Sequence, residues 1–233
     1  IGRGGMGSVW LANRADGQFD AQVAIKLPRS PLLDARDIDR FRRESTALAR
    51  LEHPNVARLI DAGIGTGGQP YIALEYVRGE RIDAYCDRHT LDVESRLGLF
   101  LNVLAAVSHA HSQLVVHRDI KPSNVLVTDE GIVKLLDFGI ARLMDSAGDN
   151  APRDMTVAFT PAYASPEQLL GRPISTVSDV YSLGVLLYEL LAGTHPLGAG
   201  QPSPESALRT ALETDAPRLS RAMTSQELAR ARA

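Results

Sequence analysis

Cysteine is nearly absent from this chain. Among 233 residues only Cys86 carries a thiol, so no internal disulfide framework can form and a reducing compartment fits. Charge of either sign is not in excess: 25 Lys and Arg against 28 Asp and Glu give a net −3. No basic field is on offer to nucleic acid or an anionic membrane, and neither partner is expected. No basic-then-apolar leader stands at Ile1, so no secretion signal is expected. Long hydrophobic runs are missing too. The longest uncharged stretch, residues 97–116, covers 20 positions but holds Asn102, Ser108, His109, His111, Ser112 and Gln113, which hydrocarbon would not accept cheaply. It reads instead as a soluble helix burying Leu97, Leu101, Leu104 and Val107, followed by a strand through Val115. Lysine is the last scarcity: 22 Arg stand beside Lys26, Lys121 and Lys134 alone. Where guanidinium is the default cation, each retained ammonium is a candidate for a role that Arg cannot fill.

What is present is the balance of a globular chain, 44% hydrophobic and 23% charged with 19 Gly and 13 Pro. The period of two predicts strands over residues 8–13 and 22–27. After Pro28 and Pro31 a helix is predicted over 34–51, with Ile38, Phe41, Leu48 and Leu51 on one face. Strands over 56–64 and 70–77 flank Thr66-Gly67-Gly68. Beyond Gly79 the pattern turns helical over 91–112, with short strands 125–128 and 132–136 and an irregular stretch 146–161. Residues 177–191 are apolar almost all round, as in a helix buried on every side. The expected fold class is α+β with two lobes. A small antiparallel β lobe with one helix covers 1–77, a hinge lies near 76–79, and a larger, mainly helical lobe covers 78–233.

Four polar groupings carry candidate chemistry. Gly2-Arg3-Gly4-Gly5-Met6-Gly7 is a G-x-G-x-x-G run; because Val9-Trp10-Leu11 continues as strand rather than helix, it suits a hairpin covering phosphates. In Val23-Ala24-Ile25-Lys26 the alternation puts Ala24 and Lys26 on one face. An exposed strand lysine is the bland alternative. Glu44 weighs against it, lying three residues after Phe41 and four before Leu48 on the apolar helix face; a carboxylate there needs a partner, and Lys26 is the natural one. His117-Arg118-Asp119-Ile120-Lys121-Pro122-Ser123-Asn124 sits between two apolar strand candidates, where reacting groups can converge on a loop. Asp119 can accept a hydroxyl proton and Lys121 can neutralise a moving phosphoryl group. Asn124 and the Asp137 of Asp137-Phe138-Gly139 offer oxygens suited to Mg²⁺.

This ordered set, together with Ser165-Pro166-Glu167, resembles the eukaryotic-like protein kinase family, and Lys121 two residues after Asp119 is similar to its serine/threonine branch. The Arg- and Ala-rich background and the wording Ala162-Tyr163-Ala164-Ser165-Pro166-Glu167-Gln168 look bacterial. The resemblance implies ATP and Mg²⁺ as cofactors, Ser or Thr hydroxyls of proteins as acceptors, and a cytoplasmic catalytic domain. It implies Asp119 as catalytic base, Lys121 near the γ-phosphate, Lys26 on the α/β-phosphates paired with Glu44, and Asn124 and Asp137 as metal ligands. The backbone of Gly2, Gly4 and Gly7 would form the lid. Val9, Ala24 and Leu126 would sandwich the adenine, Glu75 to Val77 would read its edge, and Leu74 would guard the rear.

Regulation follows from the same likeness. Phospho-Thr156 is expected to pair with Arg118 and Arg142, ordering the segment from Asp137 to Glu167, and Thr160 is expected to bond Asp119 and Lys121. A dimer could carry out the phosphorylation in trans. Relative to the family pattern Phe159 replaces Gly and Ser165 replaces Ala. The chain is expected to begin inside the glycine loop and to lack the last helices of the larger lobe, leaving Glu167 without its usual Arg. His117 is expected to pack on Phe138. Cys86, His109 and His111 have plain structural readings, and Lys134 is expected to be a surface residue. The rivals are a pseudokinase acting as a nucleotide-responsive binding module and a small-molecule phosphotransferase. The first loses catalytic groups that are all present here; the second lacks the Thr160 to Glu167 segment.

Overall fold

The computed structural model describes residues 2–4, 7–13, 22–28, 35–138, 160–198 and 202–222. Its first part is a five-stranded antiparallel sheet in the order β1-β2-β3-β5-β4. The strands are β1 (Gly2–Gly4), β2 (Gly7–Asn13), β3 (Gln22–Leu27), β4 (Leu59–Ile64) and β5 (Pro70–Glu75). Helix α1 (Ala35–Ala49) accompanies the sheet and buries Phe41, Ser45 and Leu48. Register follows the alternation. Val9 faces Lys26 and Leu11 faces Ala24, while on the other side of β3 Lys26 faces Ile72 and Ala24 faces Leu74. One face of the sheet therefore carries Val9, Ala24, Lys26, Ile72 and Leu74 together.

After β5, residues 76–78 have no regular structure, and a second, three-stranded sheet follows in the order β6-β7-β8: β6 (Gly79–Arg81), β7 (Val125–Thr128) and β8 (Val133–Leu135). Gly79 must be glycine here, because a Cβ would lie 2.7 Å from the Val127 carbonyl oxygen. Helices α2 (Ile82–Arg88) and α3 (Val93–Ser112) come between β6 and β7. Asp92 caps α3 by accepting the Ser95 N–H. Beyond β8 lie α4 (Pro166–Leu169), α5 (Thr176–Ala192), α6 (Pro204–Glu213) and α7 (Leu219–Ala222). Gly193 ends α5 in the left-handed conformation.

Four expectations change. On α3 the buried stripe is Phe100, Val103, Ala106, Val107 and Ala110, whereas Leu97, Leu101 and Leu104 face outward, Leu101 at 62% exposure. Both sets have helical spacing, and the neighbours packed on α3, helix α5 and strand β8, decide between them. No strand forms at Val115 and Val116; those residues lead irregularly into the polar loop. Helix α5 is buried from Ser178 onward along one broad face, but Val177 and Val180 are exposed. The strand expected from Val56 starts at Leu59, and Val56 makes only a single parallel bridge to Leu135.

That bridge has consequences for how the lobes divide. Leu135 N donates to Asn55 O (2.8 Å) and Ala57 N to Leu135 O (2.9 Å). The Asn55 amide donates to Val133 O (2.9 Å), and His53 stacks on His109 of α3. The loop between α1 and β4 is thus bonded into the second sheet, and one hydrophobic core runs from Phe41 and Ile72 through Val125 and Leu135 to Leu186. No described helix is long and apolar enough to cross a membrane.

Candidate active site

The polar loop between α3 and β7 is held from beneath by a carboxylate. Asp179, fully buried on α5, accepts the backbone N–H of His117 on Oδ2 and that of Arg118 on Oδ1, both at 2.8 Å. The same Oδ2 bonds His111 Nε2 at 2.7 Å. These bonds hold Arg118 at φ 72°, a left-handed backbone that a non-glycine residue adopts only when its surroundings impose it. Gln168 donates to the Arg118 carbonyl (2.8 Å) and fixes the other side of the same residue. Asp179 and His111 were not singled out as functional by sequence reasoning. A signal existed: an Asp inside a helix otherwise apolar all round requires buried partners.

His117 itself is wholly buried and tilts against Phe138, with ring centroids 4.7 Å apart, as expected. Its Nε2 bonds the Leu136 carbonyl (2.8 Å) and its Nδ1 accepts the Asp119 N–H (3.3 Å), so the ring is neutral with the proton on Nε2. Burial pushes its pKa below the ordinary value, against the opposing pull of Asp179, the Leu136 carbonyl, Asp119 and Asp137.

The reacting groups expected on this loop do converge. Lys121 Nζ lies 2.7 Å from Asp119 Oδ2 and donates to Thr160 Oγ1 at 2.7 Å. Thr160 bonds Lys121 but has no bond to Asp119. The Asn124 amide nitrogen donates to the Asp119 carbonyl (2.7 Å) and to Asp119 Oδ2 (3.0 Å). That orientation leaves the Asn124 side-chain oxygen as a donor for a cation. Asp137, at φ 54°, stands at the end of β8. No group of three or more His, Cys, Asp or Glu suited to a metal occurs among the described residues. Two hard oxygens without nitrogen or sulfur fit Mg²⁺, which completes its shell with phosphate and water.

The small-lobe half of the site is arranged differently from expectation. Lys26, 10% exposed, pairs with Asp137 Oδ1 at 3.1 Å. Glu44 does not pair with it. Its carboxylate lies 3.6 Å from Arg40, one turn back on α1. The buried face of α1 is Phe41, Ser45 and Leu48, which leaves Glu44 on its flank, 34% exposed. There it borders a cavity of about 230 Å³ lined with Ala47, Leu48, Val115, Arg118 and Phe138. Burial raises the Glu44 pKa, opposed by the guanidinium groups of Arg118 and Arg40. Arg118 Nε is buried with no hydrogen-bond partner among the described residues. The expected partners Thr156 and Arg142 lie outside the described residues, as do Gly139 and Phe159.

The nucleotide-facing positions lie on the two sheets. Gly2 and Gly4 on β1 pair with Val9 and Gly7 on β2. Gly7 has φ 134°, and a Cβ there would collide with the Leu27 carbonyl oxygen, so only glycine permits this hairpin. Val9 and Ala24 lie on the Lys26 face, and Leu126 belongs to β7 opposite. Leu74 borders an apolar recess lined by Leu48, Leu51, Val56, Ile72 and Phe138, with Lys26 and Asp137 at its edge. Glu75 ends β5 and Val77 is half-buried in the connection. Lys134 is not the surface residue expected: it is 17% exposed and ion-paired with Glu75. Glu167, expected to lack a partner, accepts the Ser178 hydroxyl at 2.5 Å.

Comparison with known proteins agrees with this geometry. A family model described as "Protein kinase domain" matches residues 1–228. The chain is 41% identical over 204 residues to the serine/threonine-protein kinase pkn3 of Myxococcus xanthus, covering 84% of this chain and 37% of that protein. It is 40% identical over 210 residues to the serine/threonine-protein kinase PknA of Mycobacterium tuberculosis, covering 84% of this chain and 46% of the relative. It spans less than half the length of these relatives. Among solved structures, the M. tuberculosis PknI kinase domain superposes with a TM-score of 0.64 at 29% identity, covering 98% of this chain and 86% of that one. The two-lobed fold, the bonded polar loop and these likenesses lead to one conclusion: the chain is a member of the protein kinase family, of the bacterial serine/threonine type.

Proposed function

We propose that this chain transfers the γ-phosphoryl group of ATP to Ser or Thr hydroxyls of proteins, with Mg²⁺ as cofactor. The observation that carries the reading is the Asp119–Lys121–Thr160–Asn124 cluster, whose members bond one another within 3.0 Å. Asp119 orients the acceptor hydroxyl and takes its proton. Lys121 offsets charge on the phosphoryl oxygens as it moves, and Thr160 holds that ammonium beside the base. Asn124 and Asp137 would hold the Mg²⁺, which would supply charge neutralisation at the phosphates. Gly2, Gly4 and Gly7 would cover the phosphates, Lys26 would bind them, and Val9, Ala24, Leu126, Glu75 and Val77 would seat the base. Glu44 would join Lys26 when α1 turns toward the cleft. Phosphate on Thr156, placed there by a second copy of the chain, would engage Arg118 and stabilise the ordered segment. The domain boundary near residue 77 and a cytoplasmic location belong to the same proposal.

The test is transfer of labelled γ-phosphate from ATP with Mg²⁺ to a generic basic protein, beside Asp119→Asn, followed by mapping of the labelled residues. Label on Ser or Thr, including Thr156, that disappears in the variant supports the reading. Mg²⁺-dependent ATP binding without any transfer would replace it with a nucleotide-responsive binding module.

A further inference from the structure

We infer that Lys134 is a positioning residue for nucleotide binding, a latch that fixes the distance between the hinge and the floor of the cleft. This inference rests on the proposed nucleotide site. Lys134 Nζ donates to both carboxylate oxygens of Glu75, at 2.9 Å to Oε1 and 3.1 Å to Oε2. The Arg58 backbone N–H donates to the same Oε2 at 3.1 Å, and Glu75 N in turn donates to Arg58 O at 2.8 Å. The last residue of β5 is thus held by its backbone and by three N–H contacts to its side chain.

The other end of the latch is equally firm. Lys134 lies on β8 between Val133 and Leu135, both fully buried, and pairs across the sheet with Leu126, the residue proposed to seat the nucleotide base from below. Cross-strand partners share a face, so the ammonium rises from the surface that carries Leu126. Strand β8 is further tied to the small-lobe loop through Asn55. Exposed ion pairs contribute little, but here the Lys134 side chain is only 17% exposed and the carboxylate accepts three donors, which restricts both ends. An ammonium suits this position, since one compact charge serves both oxygens of a carboxylate that already holds a backbone N–H. Loss of the latch leaves the Glu75 peptide held by its backbone bonds alone, which loosens the carbonyl that would read the adenine edge. Ground state and transition state are affected alike, so binding weakens while the chemical step persists.

The experiment uses the intact protein and measures ADP affinity by calorimetry, with KM for ATP and kcat alongside. Lys134→Met is expected to weaken ADP and raise KM by about 3–10-fold with kcat within about twofold, and Lys134→Arg to recover part of the loss. Should Lys134→Met fail to fold, Glu75→Gln, nearly isosteric and lacking only the charge, is expected to weaken ADP to the same degree. ADP binding unchanged in a folded variant, or a fall in kcat at constant affinity, overturns the latch while leaving the proposed function standing. Absence of ADP binding by the unmutated protein overturns both.

Discussion

The two halves of the candidate site are built by different means. On the large-lobe side, the loop from His117 to Asn124 is bonded from three directions: Asp179 beneath, Gln168 beside, and its own Asp119, Lys121 and Asn124 within. On the small-lobe side, Lys26 and Glu44 are held in separate ion pairs, with Asp137 and Arg40. The first half depends on short-range contacts and one buried carboxylate. The second depends on how a whole helix, α1, is rotated against its sheet, and a rigid element can take two discrete positions. The polar loop is therefore pre-assembled, and under the proposed function the Lys26 and Glu44 pair is the place where activity would be switched.

The most direct way to break this comparison is through the loop's reacting group. Asp119→Asn is expected to lower transfer by about 10³-fold, the range of a lost general base, with ADP affinity unchanged by calorimetry. A variant that retained transfer would mean that the assembled half is not where the proton goes.

Asp179→Ala attacks the support of that half. It strands the backbone N–H groups of His117 and Arg118 in a buried setting, each costing about 1–3 kcal/mol. Denaturant unfolding is expected to show a loss of about 2–5 kcal/mol, with activity falling as Arg118 relaxes from its left-handed backbone. Asp179→Asn, which keeps only one acceptor oxygen, is expected to fall between. Unchanged stability would show that the loop holds itself.

The same contrast explains what could be read from residue order. The Asp119, Lys121, Asn124 and Asp137 positions were legible because their chemistry is local, set by residues within a few positions on a loop or strand end. The packing of His117 on Phe138 joins residues far apart in sequence; it was legible by elimination, because three better-placed groups take the chemical roles. Asp179 was missed although its helix was recognised, because its partners lie 61 to 68 residues away in sequence. Lys134 was taken for a surface residue because the alternation of β8 shows which face it occupies but not that Glu75 stands above that face. Leu97, Leu101 and Leu104 have the spacing of a buried stripe, and the packing of α5 and β8 determined that Phe100, Val103 and Val107 are buried instead. The Lys26–Glu44 pairing depended on the setting of α1, which local pattern does not encode.

Glu44→Gln sharpens the comparison from the other side. If Glu44 serves only when α1 turns inward, removing its charge is expected to lower transfer about 10–100-fold, about 1.4–2.8 kcal/mol of barrier. Stability is expected to stay level or rise slightly. Burial raises the Glu44 pKa, so its ionised form at neutral pH is disfavoured by folding, and the neutral amide lifts that penalty. Paired transfer and unfolding assays check this. A loss of stability together with activity would show the Arg40 and Arg118 interactions to be structural rather than a resting position.

The smallest effect expected concerns pH, and it too separates the halves. His117, His53 and His195 all have pKa values lowered from 6.5, chiefly by burial. In each, Nδ1 accepts a backbone N–H, from Asp119, Asn55 and Leu197 respectively, so protonation would set donor against donor. The unfolded chain takes up these protons near pH 6.5 while the folded chain resists. Stability present above that pH is therefore lost as pH falls through it, by at most about 1.4 kcal/mol per pH unit for each proton. Glu44 acts in the opposite sense. Its raised pKa makes the folded state bind a proton more readily between 4.5 and its folded value, partly offsetting the loss there. Denaturant midpoints measured from pH 7.5 down to about 4.5 are expected to fall steadily. In Glu44→Gln they are expected to fall more steeply at the acidic end, because the offsetting carboxyl is gone. A flat profile in the unmutated chain would mean that the three rings accept protons within the fold, and that the neutral His117 on which the pre-assembled loop depends is not required.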